Sequence, residues 1–344
     1  MFLGKLSGQL LKILVIVGLA LFIIFITQRT VSQFLDGGSS GNKIIVFTVN
    51  HNETVDEVAK NLEDQGLIQS ATYFKLRIRL SNADANLKAG RFTLHQGMSV
   101  DQIIRALTTS ENVEVVQVRF QEGWRTEQFA DRLVQVGLIS NADEFMNATK
   151  NGQWNYKFLS SRPSGATLEG FLFPDTYEFR AGGSTEDIIN TLLQTFDQKV
   201  PASLRAKADA LGYNFYQVMT IASIVEREAA VPEERPIIAS VYYNRLREGM
   251  PLQADPTVQY AVGHPDDWWP DITQADIDKD DPYNTYLRPG LPGPICNPSL
   301  ASIEAALNPA QTDYLYFVAK GDGSGAHAFS KTYAEHQQNI NAQQ

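Results

Sequence analysis

Two glutamates, Glu226 and Glu228, lie in the otherwise apolar segment of residues 218–230, VMTIASIVEREAA. On a helix that turns about 100° per residue, the aliphatic side chains of this segment form one stripe, and the two glutamates fall on opposite flanks of it. A carboxyl at the edge of a core is partly desolvated, which raises its pKa toward the range that a general acid needs near neutral pH. The alternative is that both are rim residues paired with arginines such as Arg227.

Polar and aromatic side chains that suit an uncharged, hydroxyl-rich substrate follow in residues 241–261 and 283–286. Carboxamides, hydroxyls and tyrosine rings orient such a substrate by hydrogen bonds and ring contacts. Structural roles are open as well, because an asparagine or glutamine can satisfy buried backbone and an aspartate before a proline is typical of a turn. The candidate substrate-binding residues are Glu226, Asn244, Gln253, Asp255, Thr257, Tyr283, Asn284, Thr285 and Tyr286.

The composition is that of a globular protein with two or three domains: 344 residues, 43% hydrophobic and 20% charged. A formal net charge of −10 argues against nucleic acid as the main partner and favours a neutral or mixed polymer. The single cysteine, Cys296, cannot form an intrachain disulfide. None of the five histidines forms a close pair with another, so we expect neither a metal site nor a cofactor.

The first thirty residues predict a membrane anchor. Residues 10–26 are apolar except for Lys12, and this is about the length that crosses a hydrocarbon core if the lysine reaches the interface. Lys5 precedes this apolar run, and Lys12 lies near its start. The positively charged side of a membrane anchor stays in the cytoplasm, so the rest of the chain is expected on the other side of the membrane. A cleaved signal peptide is the alternative, but no small-x-small site follows the run. We therefore predict residues 1–9 as cytoplasmic, 10–30 as a transmembrane anchor and 31–43 as a linker.

A repeat of strand, turn and helix occupies residues 44–140. The sequence FTVNHNETVDEVAKNL from Phe47 recurs as FTLHQGMSVDQIIRAL from Phe92 and, more loosely, as VRFQEGWRTEQFADRL from Val118. Thr54 and Ser99 are placed to cap the first two helices, whereas Thr126 is a better cap than Arg125 in the third. Such units cannot bury their apolar faces alone, so we predict that the three pack together as one small α+β module.

Residues 141–344 predict a mainly helical domain with a small β-hairpin. Helical periodicity is strong near 184–198, 202–211, 214–230 and 233–248, and YLYFVA and AHAF can pair across the turn GDGSG. The aromatic segment of residues 168–179, LEGFLFPDTYEF, could line a sugar-binding cleft but is more often core. The expected fold is therefore α+β: a transmembrane helix, a module of strand-turn-helix repeats and this helical domain.

Together, several of these segments resemble the endolytic murein transglycosylases, the MltG or YceG-like family of bacterial cell-wall enzymes. The resemblance runs through about half of the chain and is carried by LEGFLFPDTY, ASIVEREA, NRLREGMPLQADPTVQYA, YNTY and LNPAQTDYLYFVAKGDGSGAHAFS. One departure lies at residues 290–295, where GLPGPI is one proline shorter than the family's common GLPPGPI. The N-terminal anchor and a LysM-like module at 44–140 also fit the family.

The resemblance implies a single-pass enzyme of the inner membrane that cuts nascent peptidoglycan between N-acetylmuramic acid and N-acetylglucosamine. It implies 1,6-anhydromuramyl ends, Glu228 as the catalytic residue, a periplasmic catalytic domain at 141–344, and glycan-polymerising wall-synthesis proteins as partners. Helix geometry adds that Glu226 and Glu228 diverge by roughly 200°, so they cannot face one bond as a pair. That favours a lyase over a hydrolytic muramidase, unless Glu169 or Asp175 folds over the site. A membrane-tethered peptidoglycan-binding scaffold is the alternative of a different class.

Overall fold

The computed structural model describes residues 19, 43–109 and 114–342. The predicted anchor at 10–30 and most of the linker at 31–43 lie outside the described residues, apart from Leu19. Within the described part, no helix is both long and apolar enough to cross a bilayer. The chain forms two compact units. The first comprises the described residues up to Val116 together with Arg180–Gly183, and the second comprises Gln117–Phe179 and the described residues from Ser184 onward.

The first unit contains the first two strand-turn-helix repeats around one antiparallel strand pair. Strand β1 (Ile44–Val49) pairs with β2 (Gly90–His95) in a register that runs from Ile44 opposite His95 to Val49 opposite Gly90. The elements of this unit are β1 (Ile44–Val49), α1 (Val55–Asp64), α2 (Ala71–Leu80), β2 (Gly90–His95) and α3 (Val100–Thr108). Its core consists of the apolar residues that recur in the two repeats and of the α2 residues that cover them, among them Phe47, Leu62, Phe74, Phe92, Ile103 and Leu107.

Both helices of these repeats begin as the sequence predicts. The Thr54 side chain accepts a hydrogen bond from the backbone N–H of Glu57, and the Glu57 carboxylate accepts from the Thr54 N–H. Ser99 and Gln102 form the same reciprocal pair at the start of α3. Each pair satisfies two backbone donors that a helix start leaves without an internal partner. The predicted caps at Thr54 and Ser99 are therefore confirmed.

The third repeat belongs mostly to the second unit, so the compact units do not share the expected boundary at 140/141. Strand β3 (Val115–Arg119) pairs with β4 (Thr176–Arg180) in a separate two-stranded sheet. Its helix α4 (Thr126–Gln135) packs against α5 (Ala142–Asn151). Similar sequence gives the same strand-turn-helix unit, but the hydrogen-bond partner of the strand decides which core the unit joins. A module of all three repeats over 44–140 is not what the fold contains.

The start of α4 also differs from the expected cap at Thr126. Arg125 occupies the capping position, and its backbone N–H donates to the Gln128 side chain at 3.0 Å. Thr126 is the first helical residue, and its backbone N–H donates to both oxygens of the buried Glu169 carboxyl, each at 3.1 Å. A carboxyl group from elsewhere in the fold thus replaces the local hydroxyl cap, which sequence alone does not show.

The rest of the second unit is helical except for one hairpin. Strand β5 (Tyr316–Ala319) pairs antiparallel with β6 (His327–Ser330), with Tyr316 opposite Ser330 and Ala319 opposite His327, as predicted. The elements in chain order are α6 (Thr185–Lys199), α7 (Ala202–Arg205), α8 (Lys207–Ala210), α9 (Phe215–Glu228), α10 (Arg235–Arg247), α11 (Asp255–Val262), α12 (Gln274–Ile277), α13 (Leu300–Leu307), β5 (Tyr316–Ala319), β6 (His327–Ser330) and α14 (Tyr333–Asn341). The helix predicted at 202–211 is two short helices, and the helix predicted from 233 begins as a 3₁₀ turn, Pro232–Glu234.

Helix α9, which carries the two glutamates, forms the centre of the second unit. Asn214 caps its start, and every residue from 218 to 225 is buried. It packs mainly against α13 and α10. The loop that carries GLPGPI is tied to the same helix, because Ile295 N–H donates to the Ser223 hydroxyl at 3.0 Å and the buried Cys296 thiol donates to the Ser223 carbonyl at 3.3 Å. These two bonds fix the loop to α9 at Ser223, in the buried part of the helix.

The aromatic segment at 168–179 is core rather than a cleft lining. Phe171 and Phe173 are buried. The Phe171 ring lies 6.1 Å from Phe158 and 5.5 Å from Phe196, measured between centroids. Aromatic rings in such clusters add packing energy beyond their buried area. This segment stabilises the helical domain and leaves the candidate site to other residues.

Candidate active site

Glu228, the last residue of α9, lines a cavity of about 500 Å³. The first hairpin strand, the loop before α11 and the C-terminal helix α14 form the other walls. Glu228 is half-buried, so the carboxyl is shielded by protein on most sides while part of it opens on the cavity. A concave site with a few convergent polar groups is the usual setting for a ligand.

The Glu228 carboxyl is both desolvated and hydrogen-bonded. Burial raises its pKa to about 7, the hydrogen bond from Tyr242 opposes that rise, and the nearby negative charge of Asp255 adds to it. The Tyr242 hydroxyl donates to Oε1 of Glu228 at 2.6 Å, and the Tyr242 side chain is itself 1% exposed. With a pKa near 7, a substantial fraction of the carboxyl is protonated at neutral pH, and Tyr242 fixes one oxygen so that the other is available.

Three of the predicted substrate-binding residues lie in the same cavity. Gln253, Asp255 and Tyr286 line it together with Glu228, and the Tyr286 hydroxyl donates to Oδ1 of Asp255. Gln253 has a positive φ of 49°, a conformation that non-glycine residues seldom adopt and that costs energy. Its backbone N–H donates to the Thr285 carbonyl at 3.1 Å, which holds the loop in this conformation.

Four other predicted residues, two asparagines and two threonines, are buried and form hydrogen bonds with the backbone. Asn244 donates to the carbonyls of Thr312 and Tyr314, both at 2.9 Å, and Asn284 donates to those of Ile277 and Lys279, both at 2.8 Å. Neither of these two residues lines the cavity that includes Glu228.

Thr257 and Thr285 are also internal. The Thr257 hydroxyl donates to the Ala254 carbonyl at 2.7 Å, and the Thr285 hydroxyl accepts from the Ala254 N–H at 3.0 Å. These threonines join the loop before α11 to the 283–286 segment, and so they support Gln253 and Asp255 without facing the cavity. Tyr283 packs on Tyr260, with ring centroids 4.6 Å apart, and is likewise absent from the cavity wall.

Glu226 lies on the other flank of α9, as the helix geometry predicts. One of its oxygens accepts from the Ser299 N–H at 3.1 Å and from the Ser299 hydroxyl at 2.6 Å. Ser299 is the residue that caps α13. The two glutamates therefore lie in different surroundings, and Glu226 is not part of the cavity wall that includes Glu228.

Glu169 and Asp175 do not fold over Glu228. Glu169 is 3% exposed, and besides Thr126 it accepts from the Asn297 side chain at 3.1 Å. Burial raises the pKa of Glu169 to about 8, and the negative charge of Glu127 adds to that rise. Asp175 pairs with Lys199 at 3.2 Å. The second carboxylate in the cavity is instead Asp255.

Sequence reasoning missed several residues of the cavity and its support. Tyr242, on α10, gave no signal because a tyrosine in a helix is ordinarily core. Phe317, His327 and His336 come from the hairpin and the C-terminal helix, and they line the cavity with Arg245. Short strands and a polar helix do not show in sequence which face they present. The described residues contain no group of three or more His, Cys, Asp or Glu side chains placed to hold a metal ion.

The chain belongs to the YceG-like family, which matches residues 47–342. A protein of Bacillus subtilis (strain 168) named endolytic murein transglycosylase is 35% identical to it over 311 residues, which cover 84% of this chain and 83% of that protein. A protein of the same name from Streptococcus pneumoniae serotype 2 (strain D39) is 30% identical over 341 residues, which cover 91% of this chain and 61% of that longer protein. A crystal structure of a yceG-like protein from Listeria monocytogenes matches with a TM-score of 0.57 and 32% identity, over 86% of this chain and 98% of that chain.

Proposed function

We propose that this protein is a lytic transglycosylase that cleaves glycan strands of nascent peptidoglycan between N-acetylmuramic acid and N-acetylglucosamine. The products carry 1,6-anhydromuramyl ends. The relatives named endolytic murein transglycosylase support the reaction class. The Glu228 carboxyl is the observation that supports the mechanism. It has a pKa of about 7, faces a cavity and accepts a hydrogen bond from Tyr242 that orients it.

In this mechanism one carboxyl serves as acid and then as base. Protonated Glu228 gives its proton to the glycosidic oxygen while an oxocarbenium-like transition state develops. The carboxylate then takes the proton of the sugar's own 6-hydroxyl, which attacks the anomeric carbon within the same ring. Because the nucleophile is intramolecular, its effective concentration is high and no activated water is required.

A hydrolytic muramidase is the second candidate, and one observation favours it: Asp255 lines the same cavity as Glu228. A hydrolase needs a second carboxylate to activate water or to form a covalent intermediate. The names of the relatives nevertheless favour the transglycosylase. We therefore assign Asp255 to raising the Glu228 pKa and to orienting substrate, and the reaction to the lyase.

The products of cleavage distinguish these candidates. The purified full chain is incubated with uncrosslinked glycan strands, and the products are identified by mass. We expect anhydro-ended fragments, and we expect none from Glu228→Gln, while Glu226→Gln serves as the matched control two residues away. Fragments with reducing ends would identify a hydrolase. Intact strands retained on the protein would identify the peptidoglycan-binding scaffold.

We also propose that the chain is anchored in the inner membrane by residues 10–30, with the catalytic domain in the periplasm and glycan-polymerising proteins nearby. The apolar run of residues 10–26 and its flanking lysines support this location. The two repeats of the first unit are the candidate LysM-like part. In cells, the protein should remain with membranes after alkaline extraction and should be digested by protease added to spheroplasts. Release into the soluble fraction would reject the anchor.

A further inference from the structure

His327, the first residue of β6, lines the Glu228 cavity, and no step of the proposed reaction uses it. Its ring nitrogen Nδ1 lies 2.7 Å from Oε2 of Glu234, in the 3₁₀ turn that precedes α10. The backbone N–H of His327 donates to both oxygens of the same carboxylate, at 3.0 and 3.2 Å. Both side chains are largely buried, with 9% of the His327 and 13% of the Glu234 side chain exposed.

This arrangement fixes which nitrogen of His327 carries a hydrogen. A carboxylate only accepts hydrogen bonds, so Nδ1 is the nitrogen that donates to Glu234. In the neutral ring, Nε2 is then left with a free lone pair on the opposite edge. Glu234 is not part of the cavity wall, whereas His327 is, so the edge with Nε2 is the part of the ring offered to a ligand.

Phe317 connects this pair to the catalytic carboxyl. Its ring meets His327 edge to face, with centroids 5.2 Å apart at 90°, and meets Tyr242 in the same way at 6.0 Å and 89°. Tyr242 is the residue that donates to Glu228. The half-buried Phe317 ring thus contacts both the histidine and the tyrosine that orients the acid, and it helps to hold them at defined positions around one cavity.

We propose that His327, oriented by Glu234, is a substrate-positioning residue that accepts a hydrogen bond from a hydroxyl of the sugar bound beside Glu228. The inference rests on the proposed function and names a second polar contact for that substrate. Glu228 remains the only group that transfers protons. His327 keeps its Nδ1 hydrogen throughout and offers Nε2 as the acceptor.

The first experiment measures kcat and KM of the full chain. His327→Gln should lose about tenfold in kcat/KM, since one hydrogen bond is worth about that factor. Glu234→Gln should retain most of kcat/KM, because an amide oxygen still accepts the Nδ1 hydrogen, whereas Glu234→Leu cannot accept it and should lose about as much as His327→Gln. The exposed His264→Gln is the control and should keep the wild-type kcat/KM.

The second experiment does not depend on turnover. In the Glu228→Gln background, adding His327→Gln should weaken the binding of a short peptidoglycan oligosaccharide about tenfold, and adding Glu234→Gln should weaken it far less. Wild-type kcat/KM in His327→Gln, or oligosaccharide binding that His327→Gln leaves unchanged, would overturn the inference while leaving the proposed function intact. Activity retained by Glu228→Gln would instead overturn the proposed function. If His327→Gln does not fold, the difference expected between Glu234→Gln and Glu234→Leu decides the matter.

Discussion

The surroundings of Glu228 and of Glu169 make an instructive contrast within the second unit. Burial raises the pKa of both carboxyls, to about 7 for Glu228 and to about 8 for Glu169. Glu169, however, is enclosed, and its oxygens accept from the Thr126 backbone and the Asn297 side chain. Glu228 has one hydrogen-bond donor, Tyr242, and a cavity of about 500 Å³ in front of it.

The contrast shows that a raised pKa records desolvation and does not by itself identify a catalytic acid. Glu169 has a structural role: it accepts a hydrogen bond from the first backbone N–H of α4, where the helix dipole favours a hydrogen-bond acceptor. Glu228 combines desolvation with access, and only that combination lets a proton reach a substrate. Enclosure and access are properties of the assembled fold, and they separate two residues of one chemical type.

Activity should separate the two carboxyls most strongly. Glu228→Gln removes the transferable proton, and we expect a loss of about 10²–10⁴-fold in turnover, which is the usual contribution of general acid–base catalysis. Glu169→Leu should leave kcat/KM of the folded protein within about twofold. It should lower the free energy of unfolding by about 1–3 kcal/mol, because buried donors lose their acceptor. Rates of anhydro-end formation and chemical denaturation measure the two effects. Equal loss of activity in both variants would remove the distinction.

Tyr242→Phe sharpens the contrast by removing the one hydrogen bond to Glu228. The bond lowers the Glu228 pKa, so its loss should raise that pKa and move the alkaline limb of the activity profile to higher pH. We also expect about tenfold lower turnover, because the carboxyl loses its fixed orientation. Tyr243→Phe, one residue along, is the control: its hydroxyl donates to the Ala306 carbonyl, away from Glu228. An alkaline limb that stays in place would show that Tyr242 does not set the acidity.

Stability should depend on pH through Glu228 in a direction opposite to that of a salt-bridged carboxylate. Its pKa is about 7 in the folded protein and 4.5 in the unfolded reference. Its contribution to stability is therefore fully present below about pH 4.5 and is lost as the pH rises through about 7. At pH 8 Glu228→Gln should be more stable than the wild type by at most about 3 kcal/mol, and at pH 4 by almost nothing. Urea unfolding at the two pH values measures the difference, and a wild type of equal or greater stability at pH 8 would contradict it.

Glu226→Gln should have the smallest effect. The residue accepts two hydrogen bonds from Ser299 at the start of α13, and an amide oxygen can still accept them more weakly. We expect the free energy of unfolding to fall by about 0.5–1 kcal/mol, with cleavage activity retained. A loss of activity close to that of Glu228→Gln would show that Glu226 takes part in the reaction.

Much of the local structure could be predicted from the sequence, because periodicity and capping residues act over a few positions. Thr54, Ser99, the hairpin of β5 and β6 and the divergence of Glu226 from Glu228 are examples. The assignment of the third repeat to the second unit could not be predicted, since it depends on which distant strand β3 pairs with. The roles of Asn244 and Asn284 were also beyond sequence, because an amide that binds backbone looks the same in a sequence as one that binds sugar. His327 and Tyr242 reach the site only through tertiary packing.

The lone thiol of Cys296 gives this chain a built-in reporter. It is completely buried against Ser223 of the central helix, so a thiol-reactive dye can label it only when that part of the domain opens. Labelling rates of the unmodified protein would therefore follow the opening of the region that carries Glu228, without an introduced probe. A glycan fragment that occupies the cavity should slow this labelling, which offers a measure of binding in protein that cannot turn over.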